Sequence, residues 1–173
     1  MSPLNGFSFA VITMSDSGVR GAREDTSGQA LIELFGSEGY QLCSYKIVAD
    51  RSSDIVEAVL GAIDDDGADL VLTTGGTGVS PTDVTPEAMA QIIEREIPGM
   101  AEAMRAASLK VTPRAVLSRG RAGIRGKSLV INLPGSRKAA LENITVLLPS
   151  LVHALEKIQG SEADCAEESP PAS

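Results

Sequence analysis

The chain has 173 residues, 43% of them hydrophobic, which suits one domain with a buried core. A net charge of −8, with two Tyr, three Phe and no Trp, excludes the basic, aromatic-rich footprint of a nucleic-acid binder. No apolar run approaches the ~20 residues of a membrane span, and two Cys and one His supply neither a disulfide framework nor a zinc cluster.

The opening residues carry no base ahead of an apolar stretch, so no secretory leader is expected and the compartment expected is the cytoplasm. Phe7 to Met14 is an apolar, β-branched run that predicts a buried strand, followed by a turn at Ser15-Asp16-Ser17-Gly18. Asp25 or Thr26 can cap a helix with Ala30, Leu31, Leu34 and Phe35 on one face, stopped by Gly39. Tyr40 to Val48 predicts a second strand, ending at Ala49-Asp50-Arg51. Ser52 or Ser53 then caps a helix with Ile55, Val56, Val59, Leu60 and Ile63 at helical spacing. Asp64-Asp65-Asp66-Gly67 closes it as a solvated turn.

Leu70 to Thr73 is a third predicted strand, running into Thr74-Gly75-Gly76-Thr77-Gly78. Thr85-Pro86 opens a helix, with Thr as cap and Pro in the first turn, where its missing N–H costs nothing. Pro98-Gly99 breaks that helix and another runs to about Ser108. Val116-Leu117 and Ser128 to Asn132 predict later strands. Leu133-Pro134-Gly135-Ser136 turns into a helix from about Lys138, which Pro149 is expected to interrupt before it resumes to about Ile158. The tail from Gly160 to Ser173 holds four acids and no base and is expected to be disordered. The alternation predicts a three-layer α/β sandwich over residues 1–159: a mostly parallel sheet with helices on both faces.

Ser15-Asp16, Asp50, Thr74 to Asp83 and Pro134 to Ser136 each follow a predicted strand. Ligands in open parallel sheets bind outside the carboxyl ends of the strands, so these segments should converge on one site. The glycine loop can form a nest of backbone N–H groups for an anion, or can serve as a tight turn whose glycines are steric. It is neither a Walker loop nor a dinucleotide fingerprint. Asp83 would repel a phosphate held in that nest unless a cation intervened, and Mg²⁺ resolves the conflict. Asp50 is either a second carboxylate at the same edge or a helix-leading acid favoured by the dipole.

Leu72-Thr73-Thr74-Gly75-Gly76-Thr77-Gly78 and Asp83-Val84-Thr85-Pro86-Glu87-Ala88 resemble the signature of the molybdenum-cofactor biosynthesis domain, which occurs in molybdopterin adenylyltransferases and gephyrin-like proteins. Ile12 to Asp16, Asp25 to Gly28, Pro98 to Arg105, Leu117 to Arg119 and Ile131 to Ser136 agree with it, so the resemblance covers about residues 7–158. It implies transfer of AMP from Mg-ATP to the terminal phosphate of molybdopterin with release of pyrophosphate, by a homotrimer that can meet a molybdate-insertion protein. It implies essential roles, with the metal, for Asp50 and Asp83. Substrate contacts would come from Ser15, Asp16, Thr74, Gly75, Gly76, Thr77, Gly78, Pro134, Gly135 and Ser136, with Glu102, Ser118 and Arg119 further candidates. A phosphate monoester is already a nucleophile near neutral pH, so no Ser/His pair is needed. The resemblance departs at Thr82, where many members carry Arg; losing that charge would either weaken nucleotide binding or shift the role to Arg119 or Arg137. The same departure leaves a non-catalytic molybdopterin-binding protein as the alternative.

Overall fold

Phe9 to Met14 are all buried, so the two-residue alternation of this strand divides side chains between two cores rather than between core and solvent. Phe9 and Val11 join one cluster, and Ala10, Ile12 and Met14 the other. The same division recurs at Leu70 and Leu72 against Val71, and at Leu129 and Ile131 against Val130. A sheet buried on both faces needs a helical layer on each side.

The computed structural model describes residues 6–161; the acidic tail expected to be disordered lies almost wholly outside them. The strands are β1 (Ser8–Met14), β2 (Gln41–Val48), β3 (Leu70–Thr74), β4 (Arg95–Glu96), β5 (Ala122–Arg125) and β6 (Ser128–Leu133). They form one sheet in the order β2-β1-β3-β6-β5-β4, the first four parallel and the β6-β5-β4 pairings antiparallel. The helices are α1 (Asp16–Val19), α2 (Thr26–Ser37), α3 (Ser52–Asp64), α4 (Thr85–Met89), α5 (Pro98–Leu109) and α6 (Arg137–Ile158). Apolar residues of α2, α5 and α6 cover one face, and those of α3 and α4 cover the other. This is the predicted three-layer sandwich.

Chain order sets the site. The chain leaves β1 toward α2 on one face and leaves β3, its neighbour, toward α4 on the opposite face. The two connections therefore part at the carboxyl ends of β1 and β3, the switch point where such sheets open a crevice. Local caps direct the exits. Asp25 accepts the Gly28 N–H at 2.9 Å to start α2, and Ser136 accepts the Ala139 N–H at 3.3 Å to start α6.

Several expectations are corrected. Ser15 to Gly18 is not a simple turn but the start of α1, with Ser15 accepting the Gly18 N–H at 2.9 Å. Thr85 is not a cap: Val84 is, and the fully buried Thr85 hydroxyl instead donates to the Gly75 carbonyl at 3.0 Å. The helix it was expected to open ends at Met89, because the following backbone pairs with β5: Glu94 N donates to Ile124 O and Ile97 N to Ala122 O. Val116-Leu117 is no strand but the end of a 3₁₀ turn, Pro113–Leu117, capped by Thr112 and exposed. Pro149 does not interrupt α6. Its ring lies on the exposed side, where water can meet the carbonyl it leaves unpaired, while Ile144, Leu147, Leu151 and Leu155 hold the other side in the core.

Candidate active site

Two glycines shape the loop after β3. Gly75 and Gly76 have φ of +105° and +63°, a region that side chains disfavour. A Cβ on Gly75 would stand 2.7 Å from the Met14 carbonyl, and one on Gly76 would stand 2.4 Å from the Thr85 hydroxyl. The loop is also strapped to the loop after β6. Gly75 N donates to Leu133 O at 3.1 Å, Thr74 Oγ1 to Pro134 O at 2.8 Å, and Gly135 closes to within contact of Gly75. At these positions the steric need for glycine is explicit, and the Gly75 N–H is already taken.

Two cavities flank this double loop. The larger, about 540 Å³, is lined by the ends of β1, β2 and β3 and includes Ser15, Asp16, Asp50, Gly75, Gly76 and Asp83. Gly135 and Ser136 complete its wall. The smaller, about 390 Å³, is lined by Thr77, Gly78, Ser118 and Pro134 and shares Ser136 with the first. Its other walls are more apolar, with Val111, Ala115 and Leu117 beside Arg105, Arg114 and Lys138. Most sequence-predicted site residues thus fall on two adjoining chambers at one edge of the sheet.

Three do not line either chamber. Thr74 is fully buried and engaged with Pro134 O. Glu102 is exposed on α5. The Arg119 guanidinium donates through Nε to Gly78 O and through Nη2 to Asp83 O, both at 2.7 Å, and through Nη1 to Glu87. That contact holds the Glu87 carboxyl below the usual carboxylate range. Arg137, at the start of α6, also lies outside both linings and is exposed.

The carboxylates of the larger chamber interact. Asp16 N donates to Asp50 Oδ2 at 3.2 Å, and Asp50 N to Asp16 Oδ1 at 3.1 Å, so the loops after β1 and β2 clasp each other. Burial pushes the Asp50 carboxyl above its ordinary range. The Asp16 N–H opposes this, and the charges of Asp16 and Asp83 add to it. Asp83 Oδ2 accepts the Ser80 N–H at 2.9 Å. Among the described residues no three His, Cys, Asp or Glu side chains gather into a metal cage.

The sequence reading missed Arg20, Arg23 and Asp25 on the larger chamber, and Arg105, Arg114 and Lys138 on the smaller. Arg20 and Arg23 lie in the same β1-to-α2 connection as Ser15, so the rule that located Ser15 could have found them. Asp25 joins three elements. Beyond capping α2, its Oδ2 accepts from Thr13 Oγ1 at 2.6 Å and from Tyr45 Oη at 2.7 Å. Burial first, then this bond, pushes the Tyr45 phenol up to about 12.

A mostly parallel sheet with an acid-rich chamber and a glycine double loop at its switch point is the α/β arrangement in which ligands bind at the strand ends. The chain belongs to the family described as "Probable molybdopterin binding domain", whose model matches residues 10–153. It is 41% identical over 155 residues, 87% of each chain, to a protein of Helicobacter pylori named molybdopterin adenylyltransferase. The molybdopterin biosynthesis enzyme MoaB from Thermus thermophilus superposes with a TM-score of 0.84 at 44% identity, covering 90% of this chain and 98% of that one. A tungsten cofactor synthesizing protein, MoaB from Pyrococcus furiosus, superposes with a TM-score of 0.82 at 37% identity, covering 88% and 97%.

Proposed function

We propose that the protein transfers AMP from ATP to the terminal phosphate of molybdopterin. The observation that carries this reading is the meeting of Asp50 and Asp83 on one chamber beside Gly75 and Gly76, in a chain 41% identical to a molybdopterin adenylyltransferase. An oxygen of the pterin phosphate attacks the α-phosphorus of ATP. A new P–O bond forms as the bond from that phosphorus to the bridging oxygen breaks, and pyrophosphate leaves with the electron pair. The monoester needs no base to become a nucleophile. The work left to the protein is alignment and charge neutralisation.

The donor set fits Mg²⁺. Asp50 and Asp83 offer hard carboxylate oxygens, and a cation held by them would offset the burial and like-charge repulsion that raise the Asp50 carboxyl. When bound, Mg²⁺ would neutralise phosphate charge, and Asp50 and Asp83 are the side chains that would hold it. Arg20 and Arg23 bring positive charge to a chamber whose other charged residues are all acids. Asp16 holds the Asp50 loop in register. Ser15, Gly75, Gly76, Gly135 and Ser136 bound the phosphate path, and Thr77, Gly78, Ser118 and Pro134 continue it into the more apolar chamber.

The assay is incubation with molybdopterin, ATP and Mg²⁺, expected to yield the adenylylated pterin and pyrophosphate. Pterin binding without that product would establish the non-catalytic alternative instead. Asp83→Asn, nearly isosteric, should cut turnover about 100-fold or more with an unchanged melting temperature; wild-type turnover in that variant removes Asp83 from the chemistry. The protein is further proposed to work in the cytoplasm as a homotrimer that hands its product to a molybdate-insertion protein. Among the described residues no helix is long and apolar enough to cross a membrane. Light scattering should give three times the 17.9 kDa chain mass, and a monomer at micromolar concentration refutes the assembly.

A further inference from the structure

We infer that Arg119 is a positioning residue: its guanidinium staples both ends of the loop 78–83 and so sets where the Asp83 carboxylate stands. The inference rests on the adenylyltransferase reading for its kinetic consequence, though not for its structural one.

The loop is short and exposed. Val79 is 63% exposed, and Ser80, Pro81 and Thr82 are also exposed, so burial does little to hold them. Its internal bonds are local: Asp83 N to Ser80 O and Ser80 N to Asp83 Oδ2, both 2.9 Å. Such bonds shape the turn but do not attach it to the rest of the molecule. Arg119 supplies the attachment. Nε reaches the carbonyl of Gly78, where the loop begins, and Nη2 reaches the carbonyl of Asp83, where it ends, each at 2.7 Å. The backbone N of Arg119 also donates to Thr77 O at 2.8 Å. Glu87, four residues beyond Asp83 on α4, holds the remaining arm through Nη1. A planar fork with donors on two edges can span two carbonyls at once; an ammonium on a flexible stem cannot hold that geometry. With its arms committed to Gly78, Asp83 and Glu87, Arg119 acts on the reaction through Asp83 rather than by touching a substrate phosphate.

The alternative, a direct phosphate contact, predicts different numbers. Under the staple, Arg119→Lys keeps the charge but releases one end of the loop. Turnover should fall at least about 10-fold, since misplacement by about 1 Å can cost 10²-fold. KM values for ATP and molybdopterin should stay within about 2-fold, and the Mg²⁺ concentration giving half-maximal rate should rise. A raised KM for either substrate with unchanged turnover would overturn the staple. Glu87→Gln tests the same point without touching Arg119. The staple predicts lower turnover, whereas a phosphate-binding Arg119 freed from Glu87 should bind substrate more tightly, and that result overturns the proposal. Amide hydrogen exchange of the apo protein over residues 79–84 gives a readout independent of activity. It should be about 10-fold faster in both variants, with exchange in β3 and β6 unchanged. Wild-type exchange in the loop of both variants refutes the staple even if the enzyme is active. Absence of turnover in the wild-type protein refutes only the adenylyltransferase reading.

Discussion

Replacing Gly76 by alanine adds one carbon to a position with no room for it. The residue has φ of +63°, and an L side chain in this region costs about 1–2 kcal/mol. The new Cβ would also stand 2.4 Å from Thr85 Oγ1, so that hydroxyl must leave its 3.0 Å bond to Gly75 O. Thr85 is fully buried, and stranding a buried polar pair costs about 1–3 kcal/mol. Together the loss should be about 2–5 kcal/mol, a large share of the 5–15 kcal/mol typical of a domain. The chain has no tryptophan, so urea unfolding is best followed by circular dichroism, with the midpoint falling at constant slope. A double-mutant cycle isolates the collision. In a Thr85→Ala background the hydroxyl is gone and mainly the backbone cost of Gly76→Ala remains, so the double variant should be more stable than additivity predicts by about 1–3 kcal/mol. If Gly76→Ala costs the same in both backgrounds, the clash with Thr85 is not the reason for glycine here. Gly75 gives the contrast: its Cβ would meet the Met14 backbone carbonyl at 2.7 Å, which no side-chain truncation relieves.

Asp25→Ala should destabilise by about 2–4 kcal/mol, because it removes the cap of α2 and leaves Thr13 and Tyr45 without their acceptor. The Tyr45 phenol should then titrate below about 12, read by ultraviolet absorbance; an unchanged titration would refute the Asp25 contribution. Asp50→Asn should abolish turnover yet stabilise the metal-free protein at pH 7. A carboxyl raised by folding favours the folded state when protonated, so its ionisation weakens the fold as pH rises through the raised value. The gain from Asn should therefore be full at neutral pH and shrink as pH falls toward 3.8. Thermal melts at both ends of that range check it, and a variant less stable than wild type at pH 7 contradicts the sign.

The fold was legible where burial imposes a period. The runs from Phe9, Leu70 and Ser128 are buried on both faces, and their apolar continuity announced a covered parallel sheet. It was not legible where pairing overrides composition. Ala122-Gly123-Ile124-Arg125 has the look of a loop, yet it is β5, because Gly123 lets the neighbouring strand close in: a Cβ there would lie 2.6 Å from Arg95 O. The same pairing ended α4 early, since the residues before Pro98 are needed as β4. Pro149 misled in the opposite direction. A proline breaks an isolated helix, but this one costs little on an exposed side while four buried residues hold the other.

The site divides along a similar line, between residues whose demands are local and residues whose partners are remote. Asp25 and Ser136 bond N–H groups three residues on, so a short window of sequence contains the reason for each; Gly75 and Gly76 announce a turn locally, though the atoms that exclude a Cβ there are Met14 O and Thr85 Oγ1. The strand-end rule then gathers them, because topology alone carries loops after parallel strands to one edge. A long cation carries no such local instruction. Arg119 reaches Gly78, Asp83 and Glu87, which precede it by 41, 36 and 32 residues, and its side chain could as well have pointed into either chamber. Charge suggested a phosphate for it; geometry gives it two carbonyls and a carboxylate instead. Arg20 and Arg23, passed over in a polar stretch, line the acidic chamber because their loop leaves β1 at the switch point. In this chain the backbone of the site follows from sequence, while the assignment of positive charge to ligand or to scaffold is decided by tertiary neighbours.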